Sequence, residues 1–486
     1  MYLRNNRKLF QHASCKVKCV NIPASASEVS QTASLVSGPP VIAIVGAGSL
    51  NWGRSIVVDL LLNPDLAEAE IRLVDVLPDR LALVHEWCGF AARRLGGKQR
   101  IVATSDLKEG LRGASACLSA ISVGGDRMWR YDAMHPQLDG IFQPVGDTTG
   151  PGGALRALRH APAMRSIGLT LAEVGQQNAL LLQLTNPLNA LTACLDDIPG
   201  IRVMGFCHGY DDTEQLVATA LFREPHQQAA MLTHQWRRML PTIRVELAGN
   251  NHFVFVDKIQ IGERVYSQSE LHELTPAIFD GPFREAVWSR YGAYVGNYPR
   301  HPIEFLPDFL DQRSGFGRAW GIEPIANEIN PFHGERHDSS RTHLENALSA
   351  AREDFGTTES WPLHHSREPV DEILAAFHTG NRLDVHLNLR NHGALSGVSD
   401  ELHLEMYCRI EGGEVHRPKV HFPEKLCREI ERVGQSQLLL AACCKEFDED
   451  KLLAAMKLDV LAPTDASVCR RLLREMLDFQ EEWIGH

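Results

Sequence analysis

No run of roughly 18 apolar residues occurs in the chain, which argues against a membrane-spanning helix. Basic residues are not in excess: 49 Lys and Arg face 61 Asp and Glu, a formal net charge of −12. Without a basic patch, general nucleic-acid binding is not expected. The eleven cysteines follow no framework of spacings. There is no Cys-x-x-Cys and no His-Glu-x-x-His, so a structural zinc site and a zincin are both excluded. Scattered cysteines of odd number in a long chain point to reduced thiols and a cytoplasmic setting. Residues 1–40 are basic and then Ser-rich, and they lack the apolar core of a secretory signal. They read as a disordered extension. A transit peptide is the alternative, because Arg4, Arg7, Lys8, Lys16 and Lys18 all precede the first acid, Glu28.

The rest is an ordinary globular composition, 44% hydrophobic and 23% charged over 486 residues, enough for two or three domains. The chain is organised around Val41–Asp75. Val41 to Val45 is a short β-branched run, as in a buried parallel strand. Gly46 and Gly48 follow, the first permitting a tight turn and the second a close approach to pyrophosphate. Ser49 comes next, and Ile56 to Leu62 reads as the crossover helix. Ile71 to Val74 is a second strand, ending in Asp75, whose carboxylate can accept from ribose hydroxyls. Asn51 stands where the usual third glycine would be, and Gly53 comes late. The pattern predicts a dinucleotide site; the plainer alternative is a strand-to-helix turn with an acidic surface residue.

Strand and helix patterns keep alternating to about residue 200, which predicts a doubly wound parallel sheet with ligands at the carboxyl ends of its strands. Ala116 to Val123 and Ala179 to Leu184 are two further strands, the second leading into Thr185-Asn186-Pro187-Leu188-Asn189. Between them Gln143 to Gly153 forms a glycine-rich loop carrying Asp147 and Thr148, with Arg156 and Arg159 on the helix that follows. This loop fits a substrate or cofactor loop or a flexible connection. Val203 to Phe206 ends in Cys207-His208-Gly209, and Val245 to Ala248 leads through Asn250, Asn251 and His252 to Phe253–Val256. A thiol and an imidazole just past strand ends can share a catalytic metal such as Zn, Fe, Co or Ni, or can each be satisfied core groups. Tyr291 to His301 concentrates tyrosines and histidine, as a site wall or as a surface loop. Asp338 to Arg352 fits an exposed helix, Arg382 to Leu389 a strand, and Glu424 onward is helical.

Taken together these motifs resemble glycoside hydrolase family 4, the NAD- and metal-dependent glycosidases. The resemblance runs over roughly residues 41 to 480. It is carried by Gly46-Ala-Gly-Ser49, the Asp147-Thr148 loop running to Arg156-Ala-Leu-Arg159, Asn186-Pro-Leu-Asn189, Cys207-His-Gly, Asn251-His252, and Asn388-Leu-Arg390-Asn391-His-Gly393. It implies an α/β fold: a Rossmann-type doubly wound sheet over 41–205, then an α+β catalytic domain over 206–486, lactate/malate dehydrogenase-like. It implies NAD held by Gly46, Gly48, Ser49, Asp75 and Asn186, and a divalent metal, Mn2+, on Cys207 and His252. Substrate would be contacted by Asp147, Thr148, Asn186, Asn189 and Arg390. The reaction implied is C3 oxidation of the sugar, C2 deprotonation and C1 elimination, without the carboxylate pair of other glycosidases. Tyr294 or Tyr298 would be the base; His208 would protonate the leaving oxygen or only line the pocket. Cys-His-Gly resembles the branch acting on unphosphorylated α-glucosides, α-galactosides or α-glucuronides, and the family forms homodimers or homotetramers. Competing readings are a lactate/malate-type dehydrogenase and a non-catalytic NAD/sugar sensor.

Overall fold

The computed structural model describes residues 38–50, 52–221, 243–270, 281–323, parts of 341–349, 363–366 and 368–484. Nearly all of the 1–40 extension and most of the 338–352 helix lie outside the described residues. The strands are β1 Val41–Val45, β2 Glu70–Val74, β3 Arg100–Thr104, β4 Ala116–Ser119, β5 Ala179–Gln183, β6 Ile201–Gly205, β7 Ile243–Asn250, β8 Phe253–Ile261, β9 Arg264–Tyr266, β10 Leu383–Arg390, β11 His403–Glu411 and β12 Glu414–His416. They join one sheet of order β3-β2-β1-β4-β5-β6-β10-β11-β7-β8-β9, with β12 on β11. The first six run parallel in the doubly wound order. The rest pair antiparallel.

Helices cover both faces of the parallel half: α1 Trp52–Leu62, α2 Pro78–Leu95, α3 Leu107–Leu111, α4 Gly125–Met134, α5 Gly150–Val174 and α6 Leu188–Leu195. Successive β1 side chains point to opposite faces. Ile42 and Ile44 pack with Ile56, Leu60 and Val84 of α1 and α2, whereas Ala43 and Val45 pack with Met164, Ile167 and Leu191 of α5 and α6. Both faces are therefore apolar, which is why β1 reads as a continuous hydrophobic run.

The sheet changes sense at one point. Gly205 of β6 opposes Asn388 of β10, the one residue pair joining those strands. A Cβ on Gly205 would lie 2.8 Å from the Asn388 Cβ and 2.7 Å from the Thr192 hydroxyl, so only glycine fits this seam. The carboxyl end of β6, the β7–β8 turn and the middle of β10 and β11 are thereby brought side by side. β4 stops at Ser119 rather than running to Val123, and the chain turns into α4 at Gly124 and Gly125, both at positive φ. Every described cysteine is free. Among the described residues no helix is long and apolar enough to cross a membrane.

Candidate active site

A cavity of about 890 Å³ opens at the carboxyl ends of the parallel strands, lined among others by Gly46, Gly48, Ser49, Asp75, Arg156 and Asn186. The β1–α1 turn is built by close approach. Gly46 has φ +91°, and a Cβ there would fall 2.1 Å from the Ala120 carbonyl oxygen. Gly48 passes so near Asp75 that its N–H donates to Oδ2 at 2.8 Å, while Leu77 N–H donates to Oδ1 at 2.9 Å. Burial raises the Asp75 carboxyl above its usual range, against these donors and the charge of Arg80. The Ser49 hydroxyl accepts from Trp52 N–H at 3.2 Å and so caps α1. Gly53 corrects the expectation of a missing third glycine. A Cβ on it would sit 2.6 Å from the Ala47 carbonyl, so Gly53 lets α1 pack tightly on the β1–α1 turn, the close approach a third glycine serves.

Beside the cavity, Cys207 Sγ and His252 Nε2 are 3.8 Å apart. Ligand bonds near 2.3 Å to sulfur and 2.1 Å to nitrogen at a tetrahedral angle would place these atoms about 3.6 Å apart, so one ion fits the pair. His252 closes the β7–β8 turn at φ +69°, a conformation few side chains adopt and one that marks functional positions. Its Nδ1 lies 2.9 Å from the Thr148 hydroxyl, which donates to Asp147 Oδ1 at 2.7 Å. The hydroxyl hydrogen is committed to the carboxylate, so Nδ1 carries the proton and Nε2 presents its lone pair to Cys207. Burial holds His252 below its usual pKa, the neutral form a metal needs. Burial and the nearby Glu405 raise the Cys207 thiol, so its deprotonation calls for a cation.

These groups reach the cavity through Asn186. Its side-chain amide donates to Asp147 Oδ2 at 2.9 Å, and its carbonyl accepts from Arg156 Nε at 3.1 Å. Asp147, Thr148, Asn186, Cys207 and His252, scattered over more than a hundred residues, thus form one network. His208 is half exposed, with Nδ1 2.7 Å from Glu368 Oε1. Tyr298 is half-buried, its ring 6.4 Å from His301. Tyr294 lies in the apolar core, its ring stacked on Trp288 at 4.3 Å. Two expected sugar contacts have protein partners for part of their polar groups, while Asn189 Oδ1 is buried with none among the described residues. Asn189 is buried and donates to the His403 carbonyl at 2.8 Å. Arg390 pairs with Asp196 and with Glu401, at 3.4 and 3.0 Å.

Four groups escaped assignment from sequence. His301 has its ring 4.2 Å from that of His252, and its buried Nδ1 has no hydrogen-bond partner among the described residues. Glu405 accepts from Asn251 Nδ2 at 2.8 Å behind Cys207, and burial pushes its carboxyl up to about 7. Glu304 accepts from Val145 and Gly146 N–H, at 2.6 and 2.9 Å, and holds the Asp147 loop. Glu368 braces His208. A carboxylate three residues beyond His301 was the one local signal, for Glu304; the others are contacts across the fold.

The model of the family 4 glycosyl hydrolases matches residues 41–222, and that of the family's C-terminal domain matches 247–462. The chain belongs to the family 4 glycosyl hydrolases. Similar curated proteins include the α-galacturonidase of Thermoanaerobacterium saccharolyticum, 25% identical over 91% of this chain and 96% of that one. The α-galactosidase of Rhizobium meliloti is 25% identical over 75% of this chain and 72% of that one. Among solved structures, lplD of Bacillus subtilis has a TM-score of 0.76 at 23% identity, covering 90% of this chain and 99% of that one. A 6-phospho-α-glucosidase from gut microorganisms, in complex with NAD and Mn2+, has a TM-score of 0.73 at 17% identity, covering 92% and 100%. At these identities the structures establish the shared fold.

Proposed function

We propose that this family 4 hydrolase cleaves an unphosphorylated α-linked galactoside or galacturonide by transient oxidation of its sugar ring. The observation that carries the reading is the Cys207–His252 pair, 3.8 Å apart and wired through Thr148, Asp147 and Asn186 to the nucleotide cavity. A hydride acceptor and a cation site side by side suit chemistry at adjacent sugar carbons. When bound, NAD+ accepts the C3 hydride, and a divalent ion, here Mn2+, supplies Lewis acidity.

The chain's residues supply the rest. Asp75 binds the adenosine ribose, and the glycines of the β1–α1 turn admit the pyrophosphate. Cys207 and His252 hold the ion. With C3 oxidised the C2 proton would be acidic, and Tyr298, at the edge of the histidine pair, would remove it; Tyr294, buried against Trp288, is not placed to do so. His208, braced by Glu368, gives a proton to the departing C1 oxygen. Hydration would then put hydroxyl on C1 and a proton back on C2, and bound NADH would supply the hydride that restores the C3 alcohol, with no net NADH left over.

Support for the substrate class comes from Cys207-His208-Gly209 and from the names of the relatives above. Arg300 is exposed next to His301 and can receive a uronate carboxylate. We place the enzyme in the cytoplasm as a homodimer or homotetramer. A panel of nitrophenyl α-galactoside, α-galacturonide and their 6-phosphates, with and without NAD+ and Mn2+, tests the reading. Release from an unphosphorylated α-galacto substrate only when both additions are present is expected. Turnover restricted to the 6-phosphates would reject the substrate class, and turnover without NAD+ would reject the mechanism.

A further inference from the structure

Arg156 and Arg159 lie one turn apart on α5, yet their guanidinium groups are used very differently. Arg159 clasps Asp132 with Nη1 and Nη2, adds Gln480, and donates from Nε to the Val123 carbonyl. It is a closed structural ion pair. Arg156 is only 9% exposed, and the one hydrogen bond its guanidinium makes among the described residues runs from Nε to the Asn186 carbonyl. Nη1 is shut off from solvent without a partner, and no described group accepts from Nη2. A guanidinium carries five N–H donors, so four stand unused on a buried cation. Leaving such donors unmatched is costly unless a bound molecule completes them.

Position identifies the missing acceptor. Arg156 lines the cavity together with Asn186, Thr185 and Ser122, at the ends of β4 and β5. The pyrophosphate-binding turn at Gly46–Ser49 follows β1, and Asp75 follows β2, farther from β5 in the strand order. Phosphate and adenosine ribose therefore belong at the other end. Arg156 shares Asn186 with the Asp147–Thr148–His252 chain, so its unused face lies where cofactor and sugar meet. Of the acceptors brought there, a sugar oxygen gains negative charge as oxidation and C2 deprotonation proceed, and a fixed cation suits it better than it suits a neutral carboxamide.

We propose that Arg156 is a substrate-binding residue whose free Nη groups donate to a ring-hydroxyl oxygen of the glycoside. The assignment rests on the redox-glycosidase reading and adds to it a permanent cation opposite the removable one. The test uses Arg156→Lys and Arg156→Ala, with free galactose and free galacturonate as probes. NAD+ affinity should stay within about threefold of wild type. Affinity of the NAD+- and Mn2+-loaded protein for the monosaccharide should fall by about 10- to 100-fold, the loss expected for charged hydrogen bonds. Methylguanidinium should restore part of it in Arg156→Ala.

A second measurement needs no variant. In the wild-type holoenzyme the bound monosaccharide should protect Arg156 from phenylglyoxal, as read by peptide mass, and NAD+ alone should not. Unchanged sugar affinity, a loss confined to NAD+, or protection by NAD+ alone would each overturn the assignment. Wild-type protein without NAD+-dependent glycosidase activity would sink the underlying reading instead, so the two failures are distinguishable.

Discussion

The Nδ1 of His252 and the hydroxyl of Thr148 lie 2.9 Å apart, and that hydrogen bond decides which imidazole nitrogen faces Cys207. Thr148→Val keeps the side-chain shape and removes the acceptor. Metal affinity should drop about 10- to 100-fold, the usual effect of losing an orienting partner. Calorimetry with Mn2+ should show the drop while NAD+ binding holds; unchanged Mn2+ affinity would deny Thr148 its role.

Cys207→Ser exchanges a soft ligand for a poor one. The variant should lose bound metal and most of its activity, while its NAD+ affinity stays near wild type, since the cavity glycines and Asp75 are untouched. Metal analysis after gel filtration checks this, and full metal content would reject Cys207 as a ligand.

Asp75 accepts from Gly48 and Leu77 N–H, so Asp75→Ala removes both a ribose acceptor and the brace of the turn. NAD+ affinity should weaken by about 10- to 100-fold. Fluorescence titration reads it, and an unaltered constant would remove Asp75 from the cofactor site. Gly53→Ala should weaken NAD+ as well and lower the melting temperature, because the new Cβ meets the Ala47 carbonyl.

Glu304 gives a pH signature. Burial pushes its carboxyl up to about 8 from an ordinary 4.5, despite the donors from Gly146 and Val145. Between those two pH values the folded chain keeps a proton that the unfolded chain has released. Stability attributable to Glu304 is thus full at acid pH and is lost as pH rises toward 8. Glu304→Gln should flatten the decline in melting temperature between pH 5 and 8, and an unchanged slope would contradict it. Glu304→Ala should cost about 1–3 kcal/mol for each backbone donor left unmatched.

The parallel half of the fold was legible because its signals are local. The Val41–Val45 run, Gly46, Gly48 and Asp75 sit in one continuous stretch, and most strand ends show a change from apolar to polar; β4, which stops at Ser119 inside an apolar run, does not. Cys207 and His252 were readable for the same reason, as polar groups just past strands. What sequence concealed depends on contacts between distant segments. Asn189 and Arg390 carry the right chemistry for sugar, and only the fold shows Asn189 Nδ2 on the His403 carbonyl and Arg390 beside Asp196 and Glu401. Tyr294 and Tyr298 lie four residues apart, and only the fold puts one on Trp288 and the other beside His301. Glu405 is one of several polar residues on β11, and nothing nearby in sequence links it to Asn251. Gly53 reads as displaced from a motif until the chain is folded and Ala47 is seen against it.

Hydrolysis by transient C3 oxidation breaks the carbon–hydrogen bond at C2. The direct test is to run the NAD+- and Mn2+-loaded enzyme in D2O and read the released sugar by mass and proton NMR. One deuterium at C2 of each product molecule is predicted. Full aglycone release with protium retained at C2 would contradict it.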